Sequence, residues 1–192
     1  MFYLASQSPR RKELLERAGL QFEILISGCD ESVPDGLDAE QTVLHLAVQK
    51  ARAVQALCQP QDVILAADTV VVTDGEILGK PKDQADAFRM LRALSGRTHT
   101  VMTGVCITSG DKTEQFVSKT DVTFYDLTDE EINAYVATGD PMDKAGAYGI
   151  QSKGVVLVES ICGDYSNVVG LPLSRVCRIL KSKFGFNTQN FQ

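Results

Sequence analysis

The most hydrophobic strand of the chain reads Val63-Ile64-Leu65-Ala66-Ala67-Asp68-Thr69-Val70-Val71-Val72. It is rich in β-branched residues, and turn-forming pairs bound it, Gln59-Pro60 on one side and Asp74-Gly75 on the other. Short apolar runs between turn signals are typical of buried strands, and an Asp-Gly pair favours a hairpin turn. The segment from Asp62 to Val72 is therefore predicted to be a buried strand that enters a hairpin.

Strands and helices are predicted on both sides of this segment. The other predicted strands are Met1–Ala5, Phe22–Ser27, His99–Thr108, Gln115–Tyr125 and Val155–Glu159. The predicted helices run from Pro9 to Ala18, from Ala39 to Leu57, from Ala85 to Leu94, from a Thr128–Glu131 capping box through Val136, and onward from Leu171-Pro172. The glycine-rich stretch Ala145–Gly154 is predicted to be a loop. This mixture predicts one α/β domain over residues 1–192, with a mixed sheet flanked by helices, and leaves the topology open.

The composition is that of an acidic globular protein. The 192 residues include 19 Lys+Arg and 25 Asp+Glu, for a net charge of −6, and 44% of them are hydrophobic. This length allows a buried core in one domain, or in two small lobes that share a sheet. The acidic balance argues against sequence-independent binding of nucleic acid, and no apolar run approaches the roughly 20 residues of a membrane span. Five cysteines, an odd number without a C-x-x-C pair, favour reduced thiols in a cytoplasmic protein.

Asp68 is the one charged residue between Val63 and Val72. Burying an ionised carboxylate without a partner is costly, so this residue is expected to pair with a cation or to coordinate a metal ion. One interpretation is a metal ligand or general base at the edge of a cleft, and the other is a salt-bridged aspartate at a strand end. The clustering of perturbed carboxylates at active sites favours the first.

Lys50 interrupts the apolar face of the long predicted helix. An apolar stripe at helical spacing runs along this helix, formed by Val43, Leu46, Ala47, Val54 and Leu57. Lys50 falls at the centre of that stripe. A lysine there either extends its ammonium group to solvent along the helix or points at a buried anion, and the sequence leaves both open.

The segment Ser6-Gln7-Ser8-Pro9-Arg10-Arg11 joins the first predicted strand to a helix N-terminus. Ser8 is the predicted N-cap, and Pro9 suits the first helical position. Free backbone N–H groups and the helix dipole favour an anion at such a turn, and two hydroxyls and two guanidinium groups add donors for phosphate. The alternative is a capped helix with solvated arginines.

Two further charged segments are candidates for the same chemistry. Gly79-Lys80-Pro81 places a lysine just after the predicted hairpin, although its spacing is not that of a P-loop. Asp30-Glu31 in the acidic loop is either solvated charge or a second oxygen ligand for a cation shared with Asp68. Cations and carboxylates without a redox motif indicate a polyphosphate ligand together with a divalent metal ion.

With these residues, the sequence resembles the Maf family of nucleoside triphosphate pyrophosphatases over almost its whole length. Besides the segments above, the resemblance is carried by Gln49-Lys50-Ala51, Ala67-Asp68-Thr69-Val70, Leu94-Ser95-Gly96, Lys144-Ala145-Gly146-Ala147-Tyr148-Gly149-Ile150-Gln151 and Val168-Val169-Gly170-Leu171-Pro172. Ordered motifs at consistent spacing are far more specific than any single motif.

The resemblance implies hydrolysis of a nucleoside triphosphate to the monophosphate and pyrophosphate with Mg²⁺ or Mn²⁺. It implies an elongated α/β fold with two lobes around a nucleotide-binding cleft, like that of inosine triphosphate pyrophosphatases, and a cytoplasmic homodimer. The family's proton acceptor matches Asp68, and the attacking water would be activated by Asp68 or by the metal ion. The positions that handle phosphate and metal match Ser8, Arg11, Glu31, Lys50 and Lys80. We expect Ser6 to bind phosphate in the same turn, and Asp68 and Glu31 to hold the metal ion.

Three positions separate the subfamilies that this resemblance covers. Members that cleave dTTP and UTP carry Arg, Thr and Gln where this chain has Arg10, Thr69 and Gln151, whereas members that cleave 7-methyl-GTP carry Trp, Gln and Glu. A glutamine amide can pair bidentately with the alternating acceptors and N–H donor of uracil or thymine, whereas the adjacent donors of guanine suit a carboxylate. The predicted substrates are dTTP and UTP, or modified pyrimidine triphosphates in a house-cleaning role. The alternative is a nucleotide-binding regulator of septum formation with little turnover.

Overall fold

The computed structural model describes residues 1–26, 28 and 31–186. The strands are β1 (Phe2–Leu4), β2 (Glu23–Ile24), β3 (Val63–Thr73), β4 (Glu76–Leu78), β5 (Thr98–Ser109), β6 (Lys112–Phe124) and β7 (Val158–Cys162). The helices are α1 (Pro9–Arg17), α2 (Ala39–Gln55), α3 (Gln84–Leu94), α4 (Asp129–Ala137), α5 (Tyr165–Val169) and α6 (Leu173–Phe184). Short 3₁₀ turns at Asp140–Asp143, Ala145–Ala147 and Lys153–Leu157 lie between α4 and β7. None of the helices in this described part of the chain has the length and apolar character needed to cross a bilayer.

One mixed sheet joins the strands, in the order β2-β1-β3-β5-β6-β7, with β4 paired to β3. β1 runs parallel to both β2 and β3, and Leu4 lies opposite Leu65 of β3. β4 returns antiparallel to β3, so the predicted hairpin is confirmed. Its turn residues Asp74 and Gly75 have φ values of 49° and 80°, the left-handed conformation that favours an Asp-Gly pair.

The described chain divides into two compact units. The first contains Met1–Asp68, Thr103–Ser118 and the residues from Gly170 onward, and the second contains Thr69–Met102 and Lys119–Val169. A core cluster of the first unit consists of Ala5, Ala47, Ala51, Val54, Ile64, Ala66 and Cys106. The core of the second unit includes Val71, Leu91, Leu94, Val122, Phe124, Ile132, Tyr135 and Tyr148.

Helix α2 lies directly on strand β5 in the first unit. At its start, the Asp38 carboxylate accepts a hydrogen bond from the Gln41 N–H, and the Gln41 side chain accepts one from the Asp38 N–H, which completes a capping box. Farther along, a methyl carbon added to Gly104 of β5 would lie 2.4 Å from the carbonyl carbon and oxygen of Val43. Only a residue without a side chain allows this close approach. The contact fixes the position of α2, the helix that carries Lys50, against the sheet.

The strand predicted at Val155–Glu159 is present, but it begins three residues later, at Val158. Lys153–Leu157 forms a 3₁₀ turn, and the strand follows it as β7. The β-branched pair Val155-Val156 suggested a strand, but both side chains are exposed. Gly154 instead packs against the Tyr135 hydroxyl, where an added methyl carbon would come within 2.7 Å, and this tertiary contact holds the backbone in the turn.

Other element boundaries also differ from the prediction. β2 covers only two residues of the predicted Phe22–Ser27 strand, whose last residue lies outside the described part of the chain. α2 ends two residues before Leu57, so this member of the predicted apolar stripe is 64% exposed. The short helix α5 is absent from the prediction. The Asp164 carboxylate begins it by accepting a hydrogen bond from the Ser166 N–H.

Candidate functional site

The turn between β1 and α1 is held together by its own side chains. Ser8 caps the helix, with its hydroxyl oxygen 3.5 Å from the Arg11 nitrogen, and Pro9 opens it, as predicted. The Ser6 hydroxyl oxygen accepts hydrogen bonds from the Ser8 N–H at 3.2 Å and from Arg11 Nη1 at 3.1 Å. Arg11 Nε donates to the carbonyl of Gly170 at 2.8 Å. The guanidinium group of Arg11 is therefore fixed within the turn, and the solvated alternative does not hold for it.

Positive charge is concentrated at this turn. Burial is the largest effect on the Arg11 guanidinium and lowers its pKa. The negative charges of Asp68 and Glu31 raise this pKa, and the positive charge of Arg10 lowers it. Asp68, Arg10 and Glu31 are thus each within electrostatic reach of the Arg11 guanidinium. A half-buried guanidinium beside a second arginine and a helix N-terminus is a favourable place for an anion, because the backbone N–H groups and the helix dipole add to the positive field.

Lys50 points at two carboxylates, which decides between the two interpretations of its sequence position. Its Nζ lies 2.7 Å from Asp68 Oδ1 and 2.9 Å from Glu31 Oε2. The side chains of Lys50 and Asp68 are each 16% exposed, whereas that of Glu31 is 58% exposed. The lysine in the apolar stripe is therefore matched to an anion on β3 and does not extend to solvent.

Asp68 lies on β3 beyond Leu65, the last residue of that strand paired with β1. Its side chain is partly exposed although the preceding residues Ala66 and Ala67 are fully buried. Lys50 holds its Oδ1 atom, whereas its Oδ2 atom accepts no hydrogen bond from any residue that the structure describes. A carboxylate with one oxygen held and the other open is suited to accept a proton in a fixed direction.

The two carboxylates also form a candidate site for a metal ion. Asp68 and Glu31 converge on one cation, the ammonium group of Lys50. Among residues 1–26, 28 and 31–186, no group of three or more His, Cys, Asp or Glu side chains is placed to hold a metal ion. Mg²⁺ is typically held by one or two carboxylates together with substrate phosphates, so this pair fits a hard divalent cation. Asp30, the other candidate in the acidic loop, lies outside the described residues.

The remaining predicted residues lie in the second unit. Thr69 follows Asp68 in β3 and is half-buried, and Lys80 is exposed just after β4. The Gly79 carbonyl accepts a hydrogen bond from the Gly146 N–H at 3.0 Å. The segment that carries Lys80 is therefore tied to the glycine-rich motif that ends in Gln151.

Gln151 occupies the third position of a tight turn from Gly149 to Ser152. The turn is closed by a hydrogen bond of 3.3 Å from the Ser152 N–H to the Gly149 carbonyl. The side chain of Gln151 is half-buried, and its amide makes no hydrogen bond with any residue in the described part of the chain. Both polar atoms of this amide are therefore open to a ligand.

Sequence reasoning missed the side chains that hold this turn. The Tyr135 hydroxyl donates to Asp140 Oδ2 at 2.7 Å and accepts a hydrogen bond from the Gly149 N–H at 3.2 Å. The Ser152 hydroxyl donates to the same Asp140 oxygen at 2.6 Å. The sequence places Tyr135 only on the apolar face of α4. The available signal was that a buried tyrosine hydroxyl needs a hydrogen-bonding partner.

The fold belongs to a known class of α/β proteins. The structure of a HAM1 protein from Coxiella burnetii matches 94% of this chain and 98% of that chain, with a TM-score of 0.52 at 17% sequence identity. At this identity the likeness concerns the fold alone. It confirms the predicted fold class, an α/β protein whose mixed sheet is flanked by helices.

The model of the Maf-like protein family matches residues 1–183, and the chain belongs to this family. A dTTP/UTP pyrophosphatase of Bacillus cytotoxicus is 52% identical over 180 residues, which cover 94% of each chain. A dTTP/UTP pyrophosphatase of Bacillus cereus strain AH820 is 53% identical over 178 residues, which cover 93% of each chain. The family inferred from the ordered motifs is thereby confirmed.

Proposed function

We propose that this chain hydrolyses dTTP and UTP, or modified pyrimidine triphosphates, to the monophosphate and pyrophosphate. The observation that carries the proposal is the 2.7 Å pair of Lys50 and Asp68, within electrostatic reach of the Arg11 guanidinium. Relatives at 52% and 53% identity are named dTTP/UTP pyrophosphatase and match the chain nearly end to end, which supports the same activity here.

The turn between β1 and α1 binds the triphosphate. The hydroxyls of Ser6 and Ser8, the guanidinium group of Arg11 and the N-terminus of α1 supply donors and positive charge for phosphate oxygens. Lys50 and Lys80 neutralise further phosphate charge. Because the hydrogen bonds of Arg11 are already formed in the described structure, little reorganisation is needed when the anion arrives.

Asp68 is the proton acceptor in the hydrolysis. A water oxygen bonds to the α-phosphorus while Oδ2 of Asp68 takes the proton. The bond between the α-phosphorus and the oxygen that bridges to the β-phosphorus breaks, and pyrophosphate leaves with that oxygen and its electron pair. Lys50 fixes the carboxylate through Oδ1, so the open oxygen faces the water in a defined direction.

Asp68 and Glu31 are the residues that would hold a divalent metal ion, Mg²⁺ or Mn²⁺. When bound, such an ion supplies positive charge that polarises phosphate oxygens and lowers the barrier to attack. Lys50 brings the two carboxylates together before the ion arrives. Two like charges at one place are costly without a cation, so the lysine also stabilises the protein without metal.

Arg10, Thr69 and Gln151 select the base. The open amide of Gln151 pairs with the carbonyl and N–H groups on the edge of uracil or thymine. It leaves the adjacent donors of guanine incompletely paired, and an unpaired buried donor is costly. The small side chain of Thr69 leaves room for the base or its methyl group.

The family resemblance also leads us to propose a cytoplasmic homodimer whose residues 1–192 act as one functional domain. An odd number of cysteines without a C-x-x-C pair supports a reducing compartment. The size of the protein in solution, measured by light scattering, tests the dimer.

The proposed activity is tested by incubating the purified protein with Mg²⁺ or Mn²⁺ and each common nucleoside triphosphate, with pyrophosphate and orthophosphate assayed separately. We expect pyrophosphate from dTTP and UTP, with kcat/KM about 100-fold above that for GTP. Orthophosphate as the product, or equal turnover of GTP, would contradict the proposal. Tight binding of dTTP without turnover would favour the regulator of septum formation instead.

A further inference from the structure

We propose that Tyr135, Asp140 and Ser152 are positioning residues that fix Gln151 in the orientation that selects the base. The inference rests on the proposed function, because it concerns how Gln151 meets a pyrimidine. All four residues lie in the second unit. The three act on the turn that carries Gln151 and need no contact with the nucleotide.

Both ends of the Gln151 turn are anchored to the same carboxylate. At the first end, the Gly149 N–H donates to the Tyr135 hydroxyl, which in turn donates to Asp140 Oδ2 at 2.7 Å. At the other end, the Ser152 hydroxyl donates to Asp140 Oδ2 at 2.6 Å. One oxygen of Asp140 therefore accepts two hydrogen bonds, one from Tyr135, which holds Gly149, and one from Ser152. Gly149 and Ser152 flank Ile150 and Gln151, the two residues at the centre of the turn.

Asp140 is itself fixed by Lys144. The lysine Nζ lies 3.2 Å from Asp140 Oδ1 and 2.5 Å from the Asp140 carbonyl oxygen, and its side chain is only 11% exposed. Burial by itself raises the pKa of Asp140, but hydrogen bonds from Ser152, Tyr135 and Lys144 outweigh it and lower that pKa. Burial and the hydrogen bond to Asp140 raise the pKa of Tyr135, which stays a donor at neutral pH. The charged form of the Asp140 carboxylate and the neutral, donating form of the Tyr135 hydroxyl are therefore both favoured.

The side chains of the network pack closely against the glycines of this segment. A methyl carbon added to Gly149 would lie 2.5 Å from Cε of Lys144 and 2.7 Å from the Ser152 hydroxyl oxygen. A methyl carbon added to Gly154 would lie 2.7 Å from the Tyr135 hydroxyl oxygen. Close packing around a polar network restricts it to one arrangement, which is what a selective pocket needs.

The residue before the turn is anchored independently. The Tyr148 hydroxyl lies 2.8 Å from Nε2 of His99, and its ring packs edge-on against Phe124 with centroids 4.7 Å apart. Tyr148 is therefore fixed in the core without help from Asp140. What Asp140 adds is control over the backbone on either side of Gln151.

Gln151 depends on this backbone control because its own amide has no hydrogen bond to a described residue. The backbone of the turn fixes the position of the Gln151 Cα atom and the direction in which its side chain leaves the backbone. Only the side-chain torsions of Gln151 remain to be fixed when the base binds. Loosening the turn adds an ordering cost to every pairing that Gln151 makes. It adds none to the phosphate contacts of the first unit.

The inference is tested with a double-mutant cycle on binding of α,β-methylene UTP, an analogue that cannot be cleaved between the α- and β-phosphorus. Tyr135→Phe removes the hydroxyl and is expected to raise the Kd about 10-fold. Gln151→Ala is expected to raise it further. In the Gln151→Ala background, Tyr135→Phe is expected to change the Kd by less than about twofold, because the group through which it acts is already gone.

Thr120→Val is the matched control. Thr120 is buried in the same unit and loses its hydrogen bonds to Asp164 and Asn167, while the Gln151 turn is untouched. It should lower thermal stability without changing the Kd. Should Tyr135→Phe fail to fold, Ser152→Ala takes its place in the same cycle.

Independent, multiplicative effects of Tyr135→Phe and Gln151→Ala would overturn the inference, since they would show a general loss of structure. A wild-type protein that binds the analogue with the expected coupling but releases no pyrophosphate from UTP would overturn the proposed function alone. A wild-type protein that does not bind the analogue would overturn both.

Discussion

Replacing Asp68 with asparagine is expected to lower kcat for dTTP by about 100- to 10,000-fold, the usual contribution of a positioned proton acceptor. Asparagine keeps the Oδ1 atom that accepts the hydrogen bond from Lys50, and Lys50 keeps its ion pair with Glu31. What the substitution removes is the open oxygen that takes the proton. The fold is therefore expected to survive, with a thermal midpoint close to that of the unchanged protein.

Asp38→Asn is the matched control for this variant. Asp38 caps helix α2 in the same unit, and asparagine caps a helix as well as aspartate does. Its kcat should stay within about twofold of the original, because a change from acid to amide at the surface leaves the chemistry untouched. Near-normal turnover of the Asp68→Asn protein would remove Asp68 from the reaction.

Replacing Lys50 with methionine is expected to lower kcat/KM for dTTP by about 100- to 1,000-fold, the effect of losing one group that stabilises developing charge. Methionine keeps the apolar stem that packs along α2 but has no charge for phosphate. It also leaves Asp68 and Glu31 without their shared cation. The free energy of unfolding is expected to fall by roughly 1–3 kcal/mol, as for the loss of a hydrogen bond to a charged group.

Two comparisons separate the roles of Lys50 in activity and in stability. Lys181→Met removes an exposed lysine of α6 and should leave both quantities unchanged. Combining Lys50→Met with Asp68→Asn should recover part of the lost stability, because the uncompensated carboxylate is gone, but should recover no activity. A Lys50→Met protein with normal kcat/KM would exclude the lysine from phosphate binding.

Residues that break a local pattern could be predicted from the sequence. A lone carboxylate in an apolar strand requires a partner, and Asp68 has one. Ser8 followed by Pro9 is a local capping signal, and it needs only neighbouring residues to be recognised. The sequence could not choose between solvent and anion for Lys50, because the deciding atom lies 18 positions away on another element.

The support of Gln151 could not be predicted in the same way. Tyr135 and Gly149 are 14 positions apart, and their contact depends on how α4 and the 3₁₀ turns fold back on each other. The Tyr135 hydroxyl also packs against Gly154, and this second contact explains why Val155-Val156 is not in a strand. Propensity is a local quantity, and packing between distant elements overrides it.

The central claim is that water attacks the α-phosphorus and pyrophosphate leaves. Hydrolysis of dTTP in ¹⁸O-labelled water, with the products separated and weighed by mass spectrometry, tests it most directly. The predicted result is one labelled oxygen in the phosphate of dTMP and none in pyrophosphate. Label in pyrophosphate, or dTDP with labelled orthophosphate, would contradict it.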